Sequence, residues 1–200
     1  MPRFLPFIAL LISNVFAEEF VLRNDNILID KNIAKINEMS AELKAKTGAG
    51  VYVSVVDKLE ANTTIGVYAK TIASELNGSF VLLAISQSDR QIDAIVSPEL
   101  QTVIDKDDIV CVMPGCPIVP ILSERRRDIT LQQQIGAGIF NGAAYVVDTI
   151  ANAREVTLES SVGSGSRNFG LSLTWIVRIM IVLTLAAMFI AWRRGKAEGK

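Results

Sequence analysis

Histidine is missing altogether from the 200 residues. Its absence excludes Ser–His–Asp and Cys–His activation of a nucleophile, imidazole-bound zinc and His-ligated haem. Any catalysis has to rest on carboxylates, Lys, Arg, hydroxyls, or a metal held by oxygens. An excess of one charge sign is lacking too. Twenty basic against 21 acidic residues leave a net charge of −1, which gives no case for nucleic acid as a partner. Cysteine is scarce, at 2 residues, and no internal repeat is visible.

What is abundant is apolar sequence, 50% of the chain, concentrated at its two ends. Leu171–Trp192 carries a single charge, Arg178, and at 1.5 Å per residue reaches about 33 Å, enough for a hydrocarbon core of about 30 Å. Trp175 and Trp192 sit near its ends, where amphipathic rings favour the membrane interfaces. Arg193, Arg194 and Lys196 follow at once. The segment 171–192 reads as a transmembrane helix and 193–200 as a cytoplasmic tail. Arg178 either snorkels toward the near interface or pairs with an acid on a partner helix.

At the other end, Arg3, an apolar run from Phe4 to Phe16, and Val15-Phe16-Ala17 before Glu18-Glu19 read as a signal peptide, 1–17, cleaved after Ala17. The alternative is an uncleaved anchor, but a Pro6-interrupted run of about 13 residues is short for a span. An exported N-terminus and one span put the basic tail in the cytoplasm, as the positive-inside rule asks. The expectation is a single-pass protein of a bacterial inner membrane. Its body, 18–154, lies in the periplasm, and its partners are the lipid bilayer and other membrane proteins.

Within the body, Asp30 is a plausible cap for a helix to about Lys46, stopped at Thr47-Gly48. Gly50–Val56 is a β-branched strand, and Thr64–Leu76 is an amphipathic helix turning Ile65, Tyr68, Ala69, Ile72 and Leu76 inward. Phe80–Ile85 is a continuous apolar run, the mark of a strand buried on both faces. A turn at Ser86–Arg90 leads to an alternating strand, Gln91–Val96, and Ser97-Pro98 opens a short helix to Ile104. Asp105–Asp108 is an acidic loop, and Ile109–Leu122, broken by three prolines, is irregular or an edge segment. A last helix runs from about Arg127 to Ala153, and 155–170 is a flexible linker. This is an α/β pattern: a small mixed β-sheet sandwiched between helices (α/β/α), with a parallel crossover from Val51 to Ile85.

The run of Asn24-Asp25, Gly50–Val56, Tyr68-Ala69, Asn77–Ser86, Asp89-Arg90 and Gln91–Val96 resembles the TPM domain, named for a plant thylakoid-lumen protein, a photosystem II repair protein and a nematode membrane protein. The resemblance covers about Phe20 to Ala151. It departs at Ser97-Pro98-Glu99-Leu100, which stands where relatives carry a glycine-rich segment. The resemblance implies an α/β/α sandwich. It also implies either a role in repair or assembly of membrane complexes or calcium-dependent acid phosphatase activity, and it adds Asp25 to the candidate sites.

In open α/β sheets ligands gather beyond the carboxyl ends of parallel strands. Asp57 and Ser86–Arg90 stand there. Asp57 and Asp89, with Asp25, could share an oxygen-bound Ca²⁺ or Mg²⁺, with Ser86 or Ser88 nearby and Arg90 for a phosphate. The plainer account, which we favour, has Asp89 capping the hairpin turn and Asp57 a solvated charge. Asp105, Asp107 and Asp108 have the look of an aspartyl-phosphatase pair, but they do not directly follow a buried parallel strand and read as solvated. Cys111 and Cys116, across Val112-Met113-Pro114-Gly115, lack C-x-x-C spacing and read as a structural disulfide rather than free thiols. Gly136, Gly138 and Gly142 lie in a helical pattern and suit close packing on the sheet, not a dinucleotide loop. Two functions stay open: a non-enzymatic interaction or assembly module for membrane-protein complexes, and a Ca/Mg-dependent phosphomonoesterase using Asp57, Asp89 and Arg90.

Overall fold

The computed structural model describes residues 18–111, 116–119 and 129–162. The expected leader at 1–17, the expected span at 171–192 with Arg178, and the expected tail at 193–200 lie outside them. Among the described residues no helix is long and apolar enough to cross a membrane.

Four strands form one sheet in the order β1-β2-β3-β4: β1 Val21–Asn24, β2 Ala49–Val56, β3 Ser79–Ser86 and β4 Gln91–Val96. β1, β2 and β3 are parallel, linked by helices α1 (Asp30–Thr47) and α2 (Ile65–Ala73), and β4 is antiparallel to β3. β2, β3 and β4 are strands that the sequence pattern predicts, and β1 is one that it does not. Four residues are too few to show a period, and β1 also slips register between Val21 and Arg23. It is the pairing with β2, in a β1–α1–β2 crossover, that makes the segment a strand.

β2 is buried along all eight residues, so both faces of the sheet are covered. On one face Val51, Val53, Val55, Val81, Leu83 and Ile85 meet Ile36, Met39 and Leu43 of α1 and Ile139, Val146, Val147 and Ile150 of the last helix, α4 (Leu131–Ala153). On the other, Tyr52, Leu82 and Ala84 meet Phe20 and Ile65 and Ala69 of α2. The architecture is a mixed α/β sandwich with helices on both sides.

Several boundaries differ from the sequence reading. Asp30 is the first residue of α1, not its cap; the cap position is Ile29, with no side-chain bond. Asn24 instead orders the turn that precedes the helix: its Oδ1 accepts from the amides of Ile27 (3.0 Å) and Leu28 (2.8 Å), and its Nδ2 donates to the Leu28 carbonyl (3.0 Å). The expected loop at Asp105–Asp108 is instead the start of a helix, α3 (Lys106–Val110). Asp105 Oδ1 caps it by accepting from the Asp107 amide at 3.0 Å, and Asp107 and Asp108 lie in its first turn, where the helix dipole favours carboxylates. The helix opened by Pro98 is one 3₁₀ turn, Pro98–Leu100.

α4 starts at a capping box, with Thr130 Oγ1 accepting from the Gln133 amide and Gln133 reaching back to the Thr130 amide. Cys111 and Cys116 are joined by a disulfide, with Cα atoms 5.6 Å apart. Two residues on, Ile118 is fully buried against α4, where a Cβ on Gly142 would lie 2.4 Å from its Cγ1 and Cδ1. Gly142 is therefore needed for Ile118 more than for the sheet, whose nearest atom, Leu83 Cδ1, is 3.7 Å away. The first residues of the expected linker at 155–170 are held against the body instead. Leu158 and Ser160 are buried, and Glu42 on α1 accepts from the amides of Glu159 and Ser160, both at 2.8 Å.

Candidate functional site

The parallel strands end together, so the residues that follow them meet at one edge of the sheet. β1 delivers Asp25, β2 delivers Asp57, and β3 delivers Ser86 and the turn Gln87–Arg90. The three carboxylates singled out from sequence do converge on this edge, but each is engaged by donors of the chain itself.

Asp25 is held by Arg23, with Nε to Oδ1 at 3.0 Å and Nη2 to Oδ2 at 3.2 Å, a two-point grip that occupies both oxygens. Its Oδ2 also accepts from the Asp57 amide at 3.0 Å, and its own amide donates to the Val55 carbonyl at 3.1 Å. The Arg23 guanidinium, then the Asp57 amide, hold the Asp25 carboxyl below the usual carboxylate range. The same contact with Asp25 raises Arg23.

Asp57 Oδ1 accepts from the Ser88 hydroxyl at 2.9 Å, and its carbonyl accepts from the Ser88 amide at 2.7 Å. Asp89 Oδ2 accepts from the Ser86 hydroxyl at 2.6 Å and from the Leu59 amide at 2.8 Å. The Ser86 hydroxyl foremost, then the Leu59 amide and the nearby Lys58 charge, depress the Asp89 carboxyl. Asp89 thus does more than cap its turn, because the Leu59 bond ties the β3–β4 turn to the loop after β2. Arg90 is exposed and left-handed at φ 51°, with its amide donating to the Gln87 carbonyl at 3.3 Å.

Calcium takes six to eight oxygens at about 2.3–2.6 Å. The arrangement does not fit that demand. Asp25 gives both oxygens to a guanidinium and one of them also to the Asp57 amide, and the positive charge of Arg23 beside it opposes a cation there. Among the described residues no group of three His, Cys, Asp or Glu converges in a way that could hold a metal ion.

Several neighbours were not singled out from sequence. Ser54, fully buried on β2, shares a 2.7 Å hydrogen bond with the Tyr68 hydroxyl of α2. Gln91 Oε1 accepts from the Ile65 amide at 3.1 Å, so β4 helps cap α2. Asp93 is a mostly buried strand carboxylate whose Oδ1 pairs with Lys106 at 2.5 Å and accepts from the Ala94 amide at 2.8 Å. Its Oδ2 lies 3.2 Å from where a Cβ on Gly66 would be, which makes room for the acid beside the first turn of α2. In the alternation of Gln91–Val96, Asp93 falls in the outward phase opposite Ile92, Ala94 and Val96, so its burial carried no sequence signal. Beside it, a cleft of about 490 Å³ is lined by Ile95, Val96, Gln101, Ile104 and Lys106.

Among curated proteins none matches the chain. Solved structures do. The N-terminal domain of a P. gingivalis protein superposes with a TM-score of 0.51 at 11% identity, over 72% of this chain and 88% of that one, a likeness of fold. An N-terminal domain from Corynebacterium glutamicum (TM-score 0.46, 14% identity, 76% of this chain and 88% of that one) also matches. So does the BA42 protein of Bizionia argentinensis (0.47, 12%, 70% and 97%). The family model described as the TPM domain matches residues 21–111, from β1 to Cys111 and short of the reach to Ala151 suggested by the sequence motifs, so this stretch of the chain is similar to that domain.

Proposed function

We propose that this TPM-like domain is a non-enzymatic interaction module that assists the assembly or maintenance of membrane-protein complexes, carried at a bacterial inner membrane by the span at 171–192. The observation that carries the reading is the use made of Asp25, Asp57 and Asp89. Each carboxylate fastens one strand end or turn to the next through donors of its own chain. Carboxylates so engaged make a rigid rim rather than an open ligand set. The apolar span with its basic flank supports the membrane setting.

The competing reading is a Ca/Mg-dependent phosphomonoesterase with Asp57, Asp89 and Arg90 at its centre. Full-length protein in detergent, assayed with p-nitrophenyl phosphate and calcium or magnesium, separates the two. The module reading expects turnover at the buffer rate, unchanged in Asp89→Ala, together with specific recovery of membrane proteins on the tagged chain. Metal-dependent turnover that Asp89→Ala abolishes would overturn it.

A further inference from the structure

The segment that leaves the last helix does not go straight to solvent. Val156 donates to the Ala151 carbonyl at 2.9 Å, turning the chain back, and Leu158 and Ser160 are buried. Glu42 of α1 then accepts from the Glu159 amide (2.8 Å), the Ser160 amide (2.8 Å) and the Ser160 hydroxyl. Lys46, one turn along, donates to the Thr157 carbonyl at 2.8 Å while pairing with Glu42 at 2.7 Å. One carboxylate taking two consecutive amides and a hydroxyl is an anion cradle built from the tail itself. Ser161 adds a bond to Asp148 of α4 at 2.5 Å, so the strap is fastened to both helices.

We infer that residues 155–161 are a latch that sets where the membrane tether leaves the domain. The inference deepens the proposed function and rests on its membrane span. Were the tether free from Glu155, the 16 residues at 155–170 would reach at most about 55 Å. With the latch closed, only residues 162–170 are left, and the reach falls to about 31 Å. The latch also fixes the exit side. α1 begins beside the carboxylate rim, after β1, and ends beside the start of β2. Glu42 and Lys46 lie in its last two turns, on the half away from Asp25, Asp57 and Asp89. A tether leaving there keeps the rim off the attachment side, facing away from the bilayer.

Hydrogen exchange on the full chain in lipid nanodiscs tests the latch. The expected result is slow exchange at Glu159 and Ser160 in the wild type, at least about tenfold faster in Glu42→Gln, with β2 and β3 amides unchanged. Leu158→Ser is the second variant, removing the apolar anchor without touching Glu42. Energy transfer from a fluorophore at exposed Asn77 to acceptor lipids reads the reach, and either variant should broaden the distances toward the longer limit. Glu159 and Ser160 amides exchanging at unfolded-chain rates in the wild type would overturn the latch. Failure of the full chain to float with vesicles, the strap still protected, would instead refute the membrane span and the reach derived from it.

Discussion

Replacing Gly142 by alanine should be harmful or helpful according to the state of one neighbour. A Cβ at this position would lie 2.4 Å from both Cγ1 and Cδ1 of Ile118, more than 1 Å inside ordinary contact. Ile118 is fully buried and follows a disulfide, so it has little room to yield. Overpacking of this kind costs about 1–3 kcal/mol, against a gain of about 1 kcal/mol for removing a glycine from a helix interior. The net expectation for Gly142→Ala is a loss of up to about 2 kcal/mol. Ile118→Ala alone should cost about 2–5 kcal/mol. In that background the clash is gone, and Gly142→Ala should stabilise by up to about 1 kcal/mol. Urea unfolding of the four proteins, followed by circular dichroism with m-values compared, reads the cycle. A Gly142→Ala effect equal in the two backgrounds, within about 0.5 kcal/mol, would refute the docking of Ile118 on α4.

Other expectations follow from single contacts. Tyr68→Phe leaves the buried Ser54 hydroxyl without its partner and should cost about 1–2 kcal/mol, whereas adding Ser54→Ala should recover much of that loss; urea midpoints decide. Asp25, Asp89, Glu18 and Glu42 all have carboxyls depressed in the folded state, Glu18 chiefly by Lys44 and Glu42 chiefly by Lys46. The folded chain then binds fewer protons than the unfolded one, so their contribution is present above the ordinary carboxylate range and is lost as pH falls below it. Melting temperature should drop between pH 5 and pH 3 (about the carboxylate range), less steeply in Glu42→Gln. Reducing the Cys111–Cys116 bridge should cost about 2 kcal/mol on the chain-entropy estimate for so small a ring, read as a lower urea midpoint in dithiothreitol.

Much of the sandwich was legible because its signals are local. Phe80–Ile85 is apolar without a break and proves buried on both faces, while Gln91–Val96 alternates and is an edge strand. β1 was not legible, since its strand character comes from β2 rather than from its own four residues. At the candidate site the sequence placed Asp57 and Asp89 at one sheet edge by topology alone. It did not show what each carboxylate accepts, because Leu59 and Ser88 are brought to Asp89 and Asp57 by the fold. Asp105 misled for a simpler reason: a run of acids reads as solvated loop, yet an acid at a cap with acids in the first turn is also how a short helix begins. Glu42 gave only the local pair with Lys46 on its own helix, because its partners in the strap lie more than 100 residues away.

The central claim is that the carboxylates at the strand ends are spent on the chain's own donors. Thermal unfolding of the full chain with and without calcium tests it most directly. A site with a dissociation constant of about 0.1 mM would add about 2.7 kcal/mol at about 10 mM calcium. The account predicts no shift in melting temperature beyond that of sodium chloride at matched ionic strength. A calcium-specific rise that disappears in Asp89→Asn and in Asp57→Asn would contradict it.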